Sequence, residues 1–277
     1  MTRSQSDSKS SRMGLVRTRF EQLPSRLKKI ATTEHFGEVP ALIMKADDLP
    51  RPFLLWIHGR TADKELDPGR YLRYVRSGIN VCAVDLPGHG ERFVASMQEP
   101  EVAFDVVEQM SEEVDGVLQS LGEIAGFDLT NAAVGGMSAG GMATLMRLVH
   151  PHPFKAAVLE ATMGQWRLQR NHKMFLQLTD RQFSELNPAD HLEAWAEIPI
   201  IAFHSRHDQW VPYAAQEEFI ARLKQRYVHP ERIEFITFDH TGVPKEHMGF
   251  GRQSAFVKEV QVEFLAKAFE ASLEKTT

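Results

Sequence analysis

The chain has 277 residues, 43% of them hydrophobic and 25% charged, enough apolar material for one large α/β domain or two small ones. A net charge of −5 advertises no basic face for nucleic acid or an anionic membrane, and a single cysteine excludes an internal disulfide framework and fits a reducing compartment. No apolar run approaches a bilayer span, and the polar, Ser-rich residues 1–12 hold no hydrophobic stretch that would make a secretory signal. A disordered tail over 1–12, one domain over 13–277 and a cytoplasmic location are therefore expected. An antiparallel pair is expected first, around Leu27–Glu34 and Ala41–Lys45. Short apolar, β-branched runs then alternate with longer periodic segments. The strands are expected at Phe53–His58, Ile79–Asp85, Ala132–Met137, Ala156–Glu160, Ile198–His204 and Ile233–Asp239. Helices fall near Pro68–Ser77, Glu101–Leu121, Ala139–Val149, Tyr213–Gln225 and Arg252–Leu273. This alternation is that of a mostly parallel sheet of about eight strands with helices on both faces. The last helix carries an apolar stripe, Phe256, Val257, Val260, Phe264, Leu265 and Phe269, able to lie on such a sheet.

The alternation breaks between Glu160 and Ile198, where Met163, Trp166, Met174, Phe175, Leu176 and Phe183 are mixed with basic residues. So long a connection carries structure or function of its own. It reads as a small helical cap over about 163–190, lining an acyl pocket or simply packing on the core. Cys82 lies in the apolar run Ile79–Val84 and reads as a buried small hydrophobe.

The most informative stretch is Gly135-Gly136-Met137-Ser138-Ala139-Gly140-Gly141, preceded by a strand and followed by a helix. A Gly-x-Ser-x-Gly turn of this kind projects a serine hydroxyl above a sheet edge, and the glycines let neighbouring elements and a substrate come close. The helix behind it directs unpaired N–H groups and a partial positive charge at the serine. Phosphate binding is the rival reading of a glycine-rich turn, but the stretch lacks the Lys-Ser or Lys-Thr of a P-loop and the Gly-x-Gly-x-x-Gly of a dinucleotide site.

A serine nucleophile needs a base, and the base needs an acid to hold its tautomer. On the elbow fold these follow in the order Ser, Asp or Glu, His. Asp208 lies in the turn after the strand ending in Phe203-His204, at the carboxyl edge where ligands bind in open α/β sheets. It could also serve as a turn residue or helix cap, and Glu160 is a weaker rival acid. His204 and His207 precede the acid and read as structural. Two histidines compete for the base: His240 at the end of the last strand, and His247 in the glycine-flanked loop beyond it. The oxyanion donors expected are the N–H of Ala139 and one from the loop Gly59-Arg60-Thr61, Arg60 ahead of Thr61. The Arg60 side chain itself reads as solvated or as an attractor of acidic substrates.

With these residues in place the chain resembles the α/β-hydrolase superfamily, in its dienelactone-hydrolase and prolyl-oligopeptidase-like esterase branches, from about Phe53 to Leu273. Phe53–Gly59 is similar to the strand and His-Gly turn ahead of the oxyanion loop. Asp85-Leu86-Pro87-Gly88-His89-Gly90 is similar to a structural turn of the family, which implies no catalytic role for His89. His204-x-x-x-Asp208-x-x-Val211-Pro212 is similar to the acid loop, with Ser205 in place of the usual glycine. His247-Met248-Gly249-Phe250, followed by Val262-Glu263-Phe264-Leu265, is similar to the family's His-Gly-Phe loop and final helix with one inserted residue. The resemblance thus implies His247 as base and His240 as the alternative, with a longer Thr241–Glu246 loop than the simplest family pattern.

The function expected is hydrolysis of a carboxylic ester or related acyl bond by Ser138, His247 and Asp208 through an acyl-enzyme, without cofactor or metal. Thioester, lactone, peptide and carbon–carbon substrates share this machinery. A metal-dependent phosphohydrolase using His204, His207, Asp208, Asp239, His240 and His247 is a rival, although the spacing matches no compact ligand motif. A non-catalytic binding module is a third reading. The partner expected is a small acyl substrate, with no nucleic acid or membrane; the residues leave the oligomeric state open, a homodimer included.

Overall fold

The computed structural model describes residues 18–273; the expected tail over residues 1–12 lies outside them. A short helix α1 (Ser25–Lys28) leads into an antiparallel hairpin of β1 (Ala31–Phe36) and β2 (Val39–Met44). Then follow β3 (Arg51–Ile57), α2 (Pro68–Arg76), β4 (Asn80–Val84), α3 (Ala103–Leu121), β5 (Phe127–Met137), α4 (Ala139–Leu148) and β6 (Ala156–Glu160). The described residues end with α5 (Asp180–Leu186), β7 (Ile200–Ser205), α6 (Tyr213–Arg226), β8 (Ile233–Phe238) and α7 (Ser254–Leu273). The eight strands form one sheet in the order β1-β2-β4-β3-β5-β6-β7-β8, antiparallel at β1, β2 and β4 and parallel from β4 to β8. This is the expected α/β-hydrolase architecture.

Alternation along the strands makes two cores. Val39, Ala41, Ile43, Phe53, Leu55, Ile57, Cys82 and Val84 face α3, α4 and α6, whereas Leu42, Met44, Leu54, Trp56, Val81 and Ala83 face α2 and α7. Both faces of the parallel strands are covered, which is why they read as continuous apolar runs. Cys82 is fully buried, and desolvation pushes its thiol pKa up, so it is a packing residue.

Some boundaries differ from expectation. Leu27 belongs to α1, not to the first strand, because Pro24 sets up a helical turn that drops the Leu27 side chain into the core. The strand expected at Ala132 begins at Phe127, since Arg51 extends the pairing backwards across a register shift. Along α7, Phe256 is exposed while Val257, Phe264, Leu265 and Phe269 are buried.

The long connection after β6 holds four short 3-10 turns, Trp166–Gln169, Lys173–Phe175, Pro188–Asp190 and Leu192–Ala194, besides α5. A capping box at Thr179 and Gln182 starts α5. Trp166, Phe175 and Phe183 are buried: Trp166 and Phe175 pack on Phe104 of α3 and Phe183 packs on Phe175, at ring separations of 5.4–6.0 Å. The segment is thus anchored by aromatic burial worth several kcal/mol, at roughly 1.5–3 kcal/mol per large side chain. Met163, Gln169, His172 and Met174 of the same connection turn toward a cleft above the sheet.

Candidate active site

The cleft has a volume of about 960 Å³ and lies at the carboxyl edge of β3, β5 and β6. Ser138 stands at its floor, between the end of β5 and the start of α4. Its backbone is left-handed, φ 52° and ψ −117°, a conformation costing roughly 1–3 kcal/mol for a residue with a Cβ. Three hydrogen bonds over-determine it. Ser138 N–H donates to Glu160 O at 2.9 Å, and Ser138 O accepts from Met142 N and Thr162 Oγ1, each at 2.9 Å. A Cβ on Gly140 would stand 2.2 Å from Ile57 O, which makes that glycine a steric requirement, and one on Gly59 would stand in tight contact, 3.3 Å from Ser138 Cβ. The end of β3 and the elbow are therefore packed backbone to backbone.

His247 is buried, and its Nε2 accepts from Ser138 Oγ at 2.9 Å. Its Nδ1 donates to Asp208 Oδ2 at 2.7 Å, which fixes the tautomer because a carboxylate can only accept. Asp208 is fixed in turn: its Oδ1 accepts from the N–H groups of Trp210 and Val211, both at 2.8 Å. One carboxylate oxygen thus caps the loop and the other faces the imidazole, so the turn-residue reading and the acid reading describe the same side chain. The Trp210 ring covers His247, with centroids 5.2 Å apart. Such a chain can draw a proton from the hydroxyl onto Nε2 and stabilise the resulting imidazolium.

His240 stands elsewhere. Its side chain is 73% exposed and its ring stacks on His207 at 4.7 Å, outside the Ser138 chain. Glu160, the rival acid, is committed to Arg70 at 2.8 Å and to Gln261 at 2.5 Å. His204 donates from Nε2 to Val211 O at 2.8 Å, and burial holds its pKa down, so it props the acid loop as a neutral ring. His89 donates to Pro87 O at 2.8 Å, and burial lowers its pKa to about 4. His58, at the end of β3, donates from Nδ1 to Gly59 O at 2.7 Å and accepts Leu86 N–H at Nε2, 3.1 Å away. It ties the Gly59 loop to the turn after β4. Arg60, Thr61 and Ala139 line the cleft beside Ser138, Thr61 with a left-handed φ of 61° and Ala139 as the first residue of α4. Among the described residues, no group of three His, Cys, Asp or Glu side chains is placed to hold a metal ion.

Sequence reasoning missed the clamp on the His247 loop. Lys245 and Glu246 both have positive φ, 58° and 51°. Glu246 offsets the strain by accepting from Thr241 N at 2.6 Å, Thr241 Oγ1 at 2.7 Å, Gly242 N at 3.1 Å and Ser205 Oγ at 3.2 Å. These bonds lower the Glu246 pKa to about 2, the Thr241 hydroxyl contributing most. The available signal was Ser205, which stands where the resembled acid loop has a glycine and whose hydroxyl reaches this carboxylate.

The profile of the prolyl oligopeptidase family matches residues 74–271. The chain belongs to the prolyl oligopeptidase family. It is accordingly a serine hydrolase on an α/β-hydrolase fold. Among family-like proteins, the Bacillus subtilis (strain 168) protein YitV, which carries the provisional name of an esterase, is 27% identical over 205 residues, spanning 67% of this chain and 80% of that protein. Esterase 2 of Thermogutta terrifontis superposes with a TM-score of 0.67 at 18% identity, over 86% of this chain and 94% of its own. A puromycin-hydrolyzing peptidase of Mycobacterium tuberculosis gives 0.67 at 19% identity over 86% of this chain, but the chain spans only 39% of that protein's length. These structural likenesses carry the fold.

Proposed function

We propose that the protein hydrolyses carboxylic esters of small acyl substrates. Ser138 Oγ attacks the carbonyl carbon while His247 Nε2 takes its proton, and Asp208 holds His247 in the required tautomer. The N–H groups of Ala139 and Arg60 receive the developing oxyanion. The tetrahedral intermediate collapses as His247 returns the proton to the departing alcohol, leaving an acyl group on Ser138. Water, deprotonated by His247, then releases the acid. The observation that carries this reading is the hydrogen-bonded chain from Asp208 through His247 to Ser138, at 2.7 and 2.9 Å, on a strained elbow facing a cleft. The esterase names of YitV and of the Thermogutta protein support esters over amides.

Family membership and the mycobacterial peptidase favour a second reading, hydrolysis of a peptide-like amide at the same serine. Parallel kinetics on short p-nitrophenyl esters and aminoacyl p-nitroanilides separate the two. The ester reading predicts ester turnover that Ser138→Ala lowers by a factor on the order of 10⁶, with the anilides far slower. Faster turnover of the anilides, or ester turnover undiminished in Ser138→Ala, refutes it.

A further inference from the structure

Among the described residues, Arg60 has no counter-ion. It lines the cleft with Ser138 and His247 and is half-buried. Its single hydrogen bond among the described residues runs from Nη2 to Gln98 O, 2.6 Å, while its Nε is buried without a partner. Among the described residues no carboxylate lies within 4.0 Å; the negative charges that act on it are Glu99 and Glu101, and Glu101 is taken by Lys173 at 3.2 Å. The other arginines that the fold draws inward are matched: Arg70 with Glu160 and Asp67, Arg92 with Glu113, Arg147 with Asp115. An unmatched guanidinium out of bulk water carries a desolvation cost that a ligand carboxylate would offset.

Its surroundings are built for an anion at the end of an apolar chain. His172 lines the same cleft, and its Nδ1 accepts Met174 N–H at 3.3 Å, which leaves Nε2 as the protonated donor. Burial and the nearby Arg60 charge hold the His172 pKa down, so the ring donates as a neutral group. Met142, Met163 and Met174 supply adaptable apolar wall between this corner and Ser138.

We propose that the substrate is an ester bearing a second, free carboxylate, and that the Arg60 side chain binds it, making Arg60 a specificity-determining residue. The inference rests on the ester-hydrolase reading. Its class of substrate is the monoester of a dicarboxylic acid, or an ester whose alcohol carries the carboxylate; the chemistry at Arg60 is the same.

Two matched pairs distinguish these sources: p-nitrophenyl hexanoate against the p-nitrophenyl monoester of adipic acid, and p-tolyl hexanoate against p-carboxymethylphenyl hexanoate. In one pair the wild-type protein is expected to prefer the anionic ester by at least about tenfold in kcat/KM, the size of one charge-assisted hydrogen bond. Added salt should shrink the preference. Arg60→Gln should bring the ratio to one or below, and Arg60→Lys should keep part of it. The ratio within each variant cancels any loss common to both substrates, including a shift of the Arg60 backbone. An anionic-to-neutral ratio at or below one in both wild-type pairs overturns the inference alone, as does a preference that survives Arg60→Gln. Absence of turnover on every ester fails the ester reading and the inference with it.

Discussion

The Lys64 cluster beside β4 and the Ser138 chain beside β5 share one edge of the sheet and are finished differently. Lys64 is fully buried, and its ammonium meets Glu65 at 2.9 Å, Asp85 at 3.0 Å and Glu91 at 2.5 Å. Asp85 also accepts from the N–H groups of Lys64 and Glu91, at 2.9 and 3.0 Å. Burial works against the Asp85 charge, yet the adjacent His58 ring, Lys64 and the Glu91 N–H outweigh it and bring its pKa to about 2. Each of these carboxylates meets the one ammonium, although Glu65 Oε2 is buried without a hydrogen-bond partner. The Ser138 chain is answered only on its far side, through Asp208, and its near end opens into the cleft. A closed cluster fixes the loop that carries Gly59 and Arg60; an open one is left for a substrate to complete.

The contrast can be broken at either end. The largest effect is expected in the open chain: His247→Ala should lower kcat/KM for a p-nitrophenyl ester by a factor of about 10⁴ or more, measured in steady state beside His240→Ala. A greater loss in His240→Ala would mean that the wrong histidine has been assigned. In the closed cluster, Lys64→Met should cost stability instead, roughly 3–5 kcal/mol by denaturant unfolding, because buried carboxylates lose their cation. A folded fraction that keeps its ester turnover would confirm the division of labour; unchanged stability would deny it.

The Glu246 clamp lies between these extremes, structural in its bonds and adjacent in sequence to His247. Glu246→Gln should reduce kcat by roughly tenfold to a hundredfold through a displaced imidazole, with KM little changed. It also has a pH signature. The folded pKa of about 2 lies below the ordinary carboxylate value of 4.5, so the clamp stabilises the fold above pH 4.5 and loses that contribution as pH falls toward 2. Unfolding curves of wild type and Glu246→Gln should therefore converge across that window; a constant gap would show that the carboxylate charge does not matter.

Much of the fold was legible because buried parallel strands are apolar throughout, and β6 was read to the residue as Ala156–Glu160. The elbow was equally plain, since close packing of Gly140 on β3 leaves no alternative to glycine. What could not be read was partnership across distant sequence. His240 and His247 lie in one connection, and only the fold of residues 241–246, with its two positive-φ residues, turns one ring inward and leaves the other outside. The same holds for Arg60: a lone arginine in a loop looks solvated until the segment carrying Gln98 and the turn around His172 close over it. The aromatic core of the connection after β6 was visible as composition, but its packing on Phe104 needed the third dimension.

The most direct test of the account is covalent labelling of the intact protein with a fluorophosphonate, followed by mass-spectrometric mapping of the adduct. Stoichiometric modification of Ser138 is expected, abolished in Ser138→Ala and greatly slowed in His247→Ala. An adduct on another residue, or none on a folded protein that still hydrolyses esters, would contradict it.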